Sequence, residues 1–94
     1  MFETRNENGT VYLSGRLDAA QVDKVKEAFE SLGDGTVIVD FSALDYIASA
    51  GIGVILVAYK RLADAGHTLR LVNMTDRIKN VFKFAGLDKI LTIE

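Results

Sequence analysis

The segment Thr36-Val37-Ile38-Val39 is short, β-branched and apolar without alternation. That is the pattern of a central strand covered on both faces, and Asp40 is expected to end it. A strand buried in this way needs neighbouring strands and covering helices, so it constrains the rest of the chain to a layered α/β arrangement. The flanking sequence supplies both. Residues 2–7 read as an edge strand, and Asn8-Gly9 is a two-residue hairpin signal leading into a strand over residues 10–14.

Helix grammar follows at Leu17-Asp18-Ala19-Ala20-Gln21, with Asp18 as N-cap, Gln21 completing a capping box and Leu17 stapling onto Val22. Val22, Val25, Phe29 and Leu32 then share one helical face, and Gly33 is a natural stop. After Phe41-Ser42-Ala43-Leu44-Asp45-Tyr46-Ile47 comes a long apolar helix over residues 50–65, closed by Gly66. Residues 67–72 read as a further strand. Thr75-Asp76 caps a helix whose Ile78, Val81, Phe82 and Ala85 form an inward stripe, with Gly86 stopping it and Leu87 packing back. Residues 91–93 form a last short strand. The predicted fold is α/β, a small mixed and partly parallel sheet of four to five strands covered by three to four helices.

Composition narrows the function. The chain has 94 residues, 49% of them hydrophobic, enough for one core and a single domain over residues 1–94. The longest apolar stretch, around residues 52–59, is far short of the roughly 18 residues of a membrane span, and the first residues have neither the basic start nor the apolar core of a secretory signal. Direct membrane insertion is not expected, and a cytoplasmic location is. With no cysteine there are no disulfides, zinc-thiolate sites or thiol nucleophiles. The net charge is −2 and the basic residues are scattered, as in Lys24 and Lys26 or Lys60 and Arg61. Nucleic-acid binding, which needs a basic footprint, is not expected.

The stretch from Val39-Asp40-Phe41-Ser42 through Ile47-Ala48-Ser49-Ala50-Gly51-Ile52-Gly53 to Leu56 resembles the central signature of the STAS family. The resemblance continues through Tyr59-Lys60, Gly66, residues 69–73, Val81-Phe82 and Gly86-Leu87-Asp88-Lys89-Ile90-Leu91. Upstream, Gly15-Arg16-Leu17-Asp18 is similar to the family's loop before its first helix. The resemblance implies a bacterial anti-sigma-factor antagonist, a partner switch that binds an anti-sigma factor, frees a sigma factor and is inactivated when that serine kinase phosphorylates it. It also admits a second class, a ligand-sensing or transporter-associated accessory module without a phosphoswitch.

The family's switch segment usually reads Asp, then Ser, then Ser, Thr or Ala, then Gly. Here those positions are Ala48, Ser49, Ala50 and Gly51. Ser49 is therefore the local candidate phosphoacceptor, and the usual carboxylate is replaced by Ala48. Serine is also a preferred N-cap, so capping is a second role open to Ser49. Along the following helix Ile52, Ile55, Leu56, Tyr59 and Leu62 are expected to face the core. Val54, Val57 and Ala58 extend the apolar surface sideways as a docking patch, with Gly51 and Gly53 letting a partner approach the backbone. The resemblance places the loop of Asp18 near the switch segment as part of that docking surface, and Asp40, at a strand end, is expected either to share this acidic neighbourhood or to accept backbone hydrogen bonds in the following turn. No catalytic, cofactor-binding or metal-binding set is expected: these carboxylates are far apart in sequence, and His67 stands alone beside a helix stop as a solvated turn residue.

Overall fold

The computed structural model describes residues 2–30 and 35–94, so the expected roles of Leu32 and Gly33 lie outside the described residues. The chain begins with the predicted hairpin. Strand β1 (Glu3–Glu7) pairs antiparallel with β2 (Thr10–Leu17). Between them Asn8 and Gly9 both take positive φ, 52° and 81°, as a type I′ turn requires. Asp18 then accepts the Ala20 N–H at 3.1 Å and starts a single 3-10 turn, Ala19–Gln21, ahead of helix α1 (Val22–Glu30). The predicted capping box does not close: the Gln21 backbone N–H goes to the Asp18 carbonyl at 3.0 Å, which tightens the first turn to 3-10.

Strand β3 (Val37–Ile47), helix α2 (Ser49–Asp64), strand β4 (Leu69–Val72), helix α3 (Asp76–Phe84) and strand β5 (Thr92–Ile93) complete the order. The sheet is five-stranded, with spatial order β1-β2-β3-β4-β5 and parallel pairing from β2 onward. Gly66 and Gly86, at φ 79° and 74°, supply the left-handed residues that follow α2 and α3.

Two expectations about the central strand are corrected. Asp40 does not end β3, which runs on to Ile47. The register with β2 shifts between Tyr12 and Ser14, whose partners are Asp40 and Ala43, and again between Gly15 and Arg16, whose partners are Leu44 and Tyr46. Each shift leaves one extra residue on β3, a β-bulge. The buried positions accordingly change step, from Val37, Val39 and Phe41 to Leu44 and Ile47. A spacing of three hides a strand from any reading based on alternation.

Nor is the strand covered on both faces. Val11, Val39 and Leu71 form one cross-strand row, all fully buried, and they join α1, α2 and α3 in the core through Val25, Val54, Ile55, Ala58, Ile78 and Phe82. Phe41 meets Phe82 edge to face, with centroids 6.0 Å apart. The alternate row, Thr10, Ile38, Arg70 and Thr92, stands outside that core and is half-buried or exposed. The alternation of Val11, Leu13, Leu69 and Leu71 with polar neighbours decides the matter, and the apolar Ile38 belongs to the open face.

Ala85 is a further correction: it is the exposed C-cap of α3, so the inward stripe consists of Ile78 and Phe82 with Val81 at its margin. Leu87 packs back into the core as expected.

Candidate functional site

The site is built where β2 and β3 end side by side. Leu17 pairs with Ile47, and the Ala48 N–H continues the ladder by donating to the Leu17 carbonyl at 2.9 Å. Because Ala48 is still held by that strand bond, its backbone remains extended (φ −93°, ψ 170°), and α2 begins only at Ser49. The Ala48 carbonyl takes the first helical bond, from Ile52 N–H at 3.1 Å.

The capping role considered for Ser49 is therefore not realised. Ala48 occupies the N-cap position, has no side-chain acceptor to offer, and leaves the helix start without a side-chain cap bond. Ser49 is the first helical residue; its side chain is exposed and its hydroxyl has no hydrogen-bond partner among the described residues. Ala50 is exposed beside it.

Gly51 is buried rather than open. A Cβ at this position would stand 2.8 Å from Leu17 Cγ and 2.9 Å from Ile47 Cγ1. The missing side chain lets the helix start pack closely onto the strand ends. Gly53 is the open glycine, with no atom within 4 Å of an added Cβ.

The apolar surface expected to serve as a docking patch divides in the same way. Val54 is 5% exposed and belongs to the core, as does Ala58, whereas Val57 is 52% exposed. The 3.6-residue period separates them, since positions four apart stack on one face. Ser49, Gly53 and Val57 form the outward stripe of α2, and Val54 and Ala58 the inward one.

The two carboxylates do not come together. Asp18 lies next to the site, because it follows Leu17 just as Ala48 follows Ile47, and its side chain is engaged in capping Ala20. Asp40 lies at the other end of the long strand, and the path from Asp40 to Ile47 spans roughly 20 Å. It is 9% exposed and fully engaged: Oδ1 accepts the Ser42 N–H at 2.8 Å and the Ser42 hydroxyl at 2.6 Å, and Oδ2 accepts the Asn73 amide at 2.8 Å. Burial pushes its carboxyl upward, but these three bonds to the charged form outweigh it and hold the group below the usual carboxylate range. Asp40 thus clamps the first bulge and accepts a backbone bond from the segment that follows it, away from the head of α2.

Sequence reasoning missed Arg16 and Tyr46. They are register partners on the open face, and the Arg16 guanidinium lies 4.3 Å from the Tyr46 ring centroid. The signal was available, since the buried Leu17 places its neighbour Arg16 on the opposite face. His67 is half-buried rather than solvated, its backbone N–H tied to the Leu62 carbonyl at 2.7 Å. Among the described residues no cluster of three or more His, Cys, Asp or Glu is disposed to hold a metal ion, and no helix is long and apolar enough to cross a membrane.

Comparison with known proteins gives a consistent picture. Residues 1–94 match the STAS domain family. The anti-sigma-B factor antagonist of Listeria monocytogenes is 33% identical over 87 residues, an alignment that covers 89% of this chain and 76% of that one. The unphosphorylated form of the anti-sigma factor antagonist SpoIIAA superposes with a TM-score of 0.74 at 25% identity, covering 100% of this chain and 88% of that one. The phosphorylated form of the Bacillus cell fate determinant SpoIIAA gives a TM-score of 0.67 at 25% identity, covering 100% and 91%.

Proposed function

This chain belongs to the STAS domain family, and on that footing we propose that it is an anti-sigma-factor antagonist that works by binding rather than by turnover. It captures an anti-sigma factor through the start and outward stripe of α2, and so frees a sigma factor. The observation that carries the reading is the Ser49 hydroxyl, exposed and without a hydrogen-bond partner among the described residues, at the head of a stripe continued by Gly53 and Val57. Ala50 widens the approach, while Gly51 seats the helix and Asp18 borders it.

The bound anti-sigma factor is also the serine kinase. The Ser49 Oγ attacks the γ-phosphorus of ATP, its proton leaves, the new O–P bond forms and ADP departs. The product carries about −1.5 to −2 additional charges at a surface that must be desolvated for binding. Desolvating such a group, or placing it against like charge, costs several kcal/mol. Because 1.4 kcal/mol is a tenfold change in affinity, phosphorylation releases the partner without unfolding the domain.

The test is incubation of the wild type and the Ser49→Ala variant with the cognate kinase and ATP, read by intact mass, alongside binding of the unmodified protein to that kinase. Phosphate should enter the wild type alone. Val57→Asp should weaken binding at least tenfold while leaving the thermal midpoint in place. Phosphate incorporation that survives Ser49→Ala would overturn the switch, and undiminished binding by Val57→Asp would overturn the stripe.

A further inference from the structure

Arg16 and Tyr46 stand one sheet position before Leu17 and Ile47, and Ser49 follows directly after Ala48, whose N–H is bonded to Leu17. Tracing the path from Arg16 through Leu17 and Ala48 to Ser49, with consecutive Cα atoms about 3.8 Å apart, puts the two Cα atoms no more than roughly 13 Å apart. To span that separation the Arg16 side chain must leave the open face and turn round the end of β2 toward the head of α2.

The guanidinium is also uncommitted. Arg5 is paired with Glu7 and Arg70 with Glu94, whereas Arg16 makes no hydrogen bond or ion pair among the described residues, and its charge rests on the face of Tyr46. All of its N–H donors are free. The local charge balance singles it out further. No lysine or arginine occurs in residues 42–59, and Arg16 is the only basic residue in residues 15–21, while Asp18 and Asp45 supply negative charge to the same end of the sheet.

We propose that Arg16 is the intramolecular receiver of the phosphate on Ser49, leaving the face of Tyr46 when Ser49 is modified. This rests on the phosphoswitch reading above and adds the residue that answers the new charge. A planar guanidinium and a phosphate form a bidentate, charge-assisted pair, stronger than an exposed stack on a tyrosine ring. Tyr46, already 40% exposed, then loses its cover. One modification therefore changes two neighbouring surface features: a phosphate appears on the α2 stripe, and the arginine is withdrawn from the open sheet face.

The test uses the full chain with phosphoserine introduced at position 49 during synthesis, so that no kinase is needed. Phosphorus NMR across pH should show the second phosphate ionisation about half a pH unit or more lower with Arg16 present than in Arg16→Gln, because a nearby cation favours the dianion. Arg16→Lys, which keeps the charge and loses the fork, should fall between. The Tyr46 ring resonances should move between the unmodified and phosphorylated protein, and this movement should vanish in Arg16→Gln. An ionisation unchanged by Arg16→Gln, or a Tyr46 ring indifferent to the phosphate, overturns the proposal. Failure of the cognate kinase to modify Ser49 would instead overturn the switch reading and leave this measurement standing. Arg16 is exposed, so both variants are expected to fold.

Discussion

Helices α2 and α3 begin in opposite ways. At α3 the Thr75 hydroxyl accepts the Ile78 N–H at 3.4 Å, Asp76 places a negative charge in the first turn, and the preceding Asn73 is clamped to Asp40. Local chemistry and tertiary contacts agree there. At α2 the N-cap is alanine, the first turn carries no acidic residue, and the start is held by the packing of Gly51 on Leu17 and Ile47 together with one backbone bond. Helix starts without a cap give up about 1 kcal/mol. Sequences that break a local rule usually do so at functional positions, and here the broken rule sits at the proposed switch. The difference teaches that α3 is built to stay put, while the head of α2 is built to present a small, unencumbered surface.

The largest test of that contrast is Val54→Asp. An unpaired carboxylate in the core should destabilise the fold by more than about 3 kcal/mol, read as loss of the cooperative urea transition. Val57→Asp, one turn position away on the outer stripe, should stay within about 0.5 kcal/mol of the wild type. Equal effects would erase the distinction between the two stripes.

Next in size is Gly51→Ala, whose methyl must displace Leu17 or Ile47. It should cost about 1 to 3 kcal/mol, and in a domain of this size each kcal/mol lowers the thermal midpoint by roughly 4 to 8 °C. A neutral result would mean that the packing at Gly51 does not hold the helix start.

The clamp behind α3 is tested by pH. The folded-state pKa of Asp40 is depressed, so its contribution is present above the unfolded-state value of about 3.9 and is lost as pH falls through the folded value. Asp40→Asn should be less stable than wild type by about 1.5 kcal/mol at pH 7. The two stabilities should converge as the pH is lowered below about 4. Parallel curves would show that the carboxylate charge is irrelevant.

Smallest are the caps themselves. Thr75→Ala should destabilise by about 1 kcal/mol, and Ala48→Asp should stabilise by about 0.5 kcal/mol, by restoring an acceptor to the uncapped helix. If both move the thermal midpoint in the same direction, the comparison between the two helix starts fails.

Much of this architecture was legible because short-range chemistry specified it: the Asn8-Gly9 turn, the Asp18 and Thr75 caps, and the stops at Gly66 and Gly86. The second half of β3 was not. Its two bulges stretch the spacing of Phe41, Leu44 and Ile47 to three, and a bulge depends on the partner strand as much as on the residues that form it. The same holds for the site. Ser49 was visible as a motif, but whether its oxygen capped the helix depended on Ala48 remaining in the β2–β3 ladder. Val54 and Val57 are chemically identical, and only the helix phase set by Gly51 sends one inward. Arg16 was passed over because its significance lies in Tyr46, which is adjacent across strands and remote along the chain.

The order of the sheet has a consequence for how the molecule comes into being. Strands that neighbour one another in space also follow one another in sequence, from β1 to β5. Each strand after β1 therefore finds a partner already synthesised as it leaves the ribosome. Only the β1–β2 hairpin pairs residues close in sequence, whereas parallel pairs such as Val11 with Val39 and Val39 with Leu71 close long loops and form more slowly, so the sheet grows by accretion from its N-terminal hairpin. The helix that carries Ser49 would be laid down midway, onto strand ends already in place.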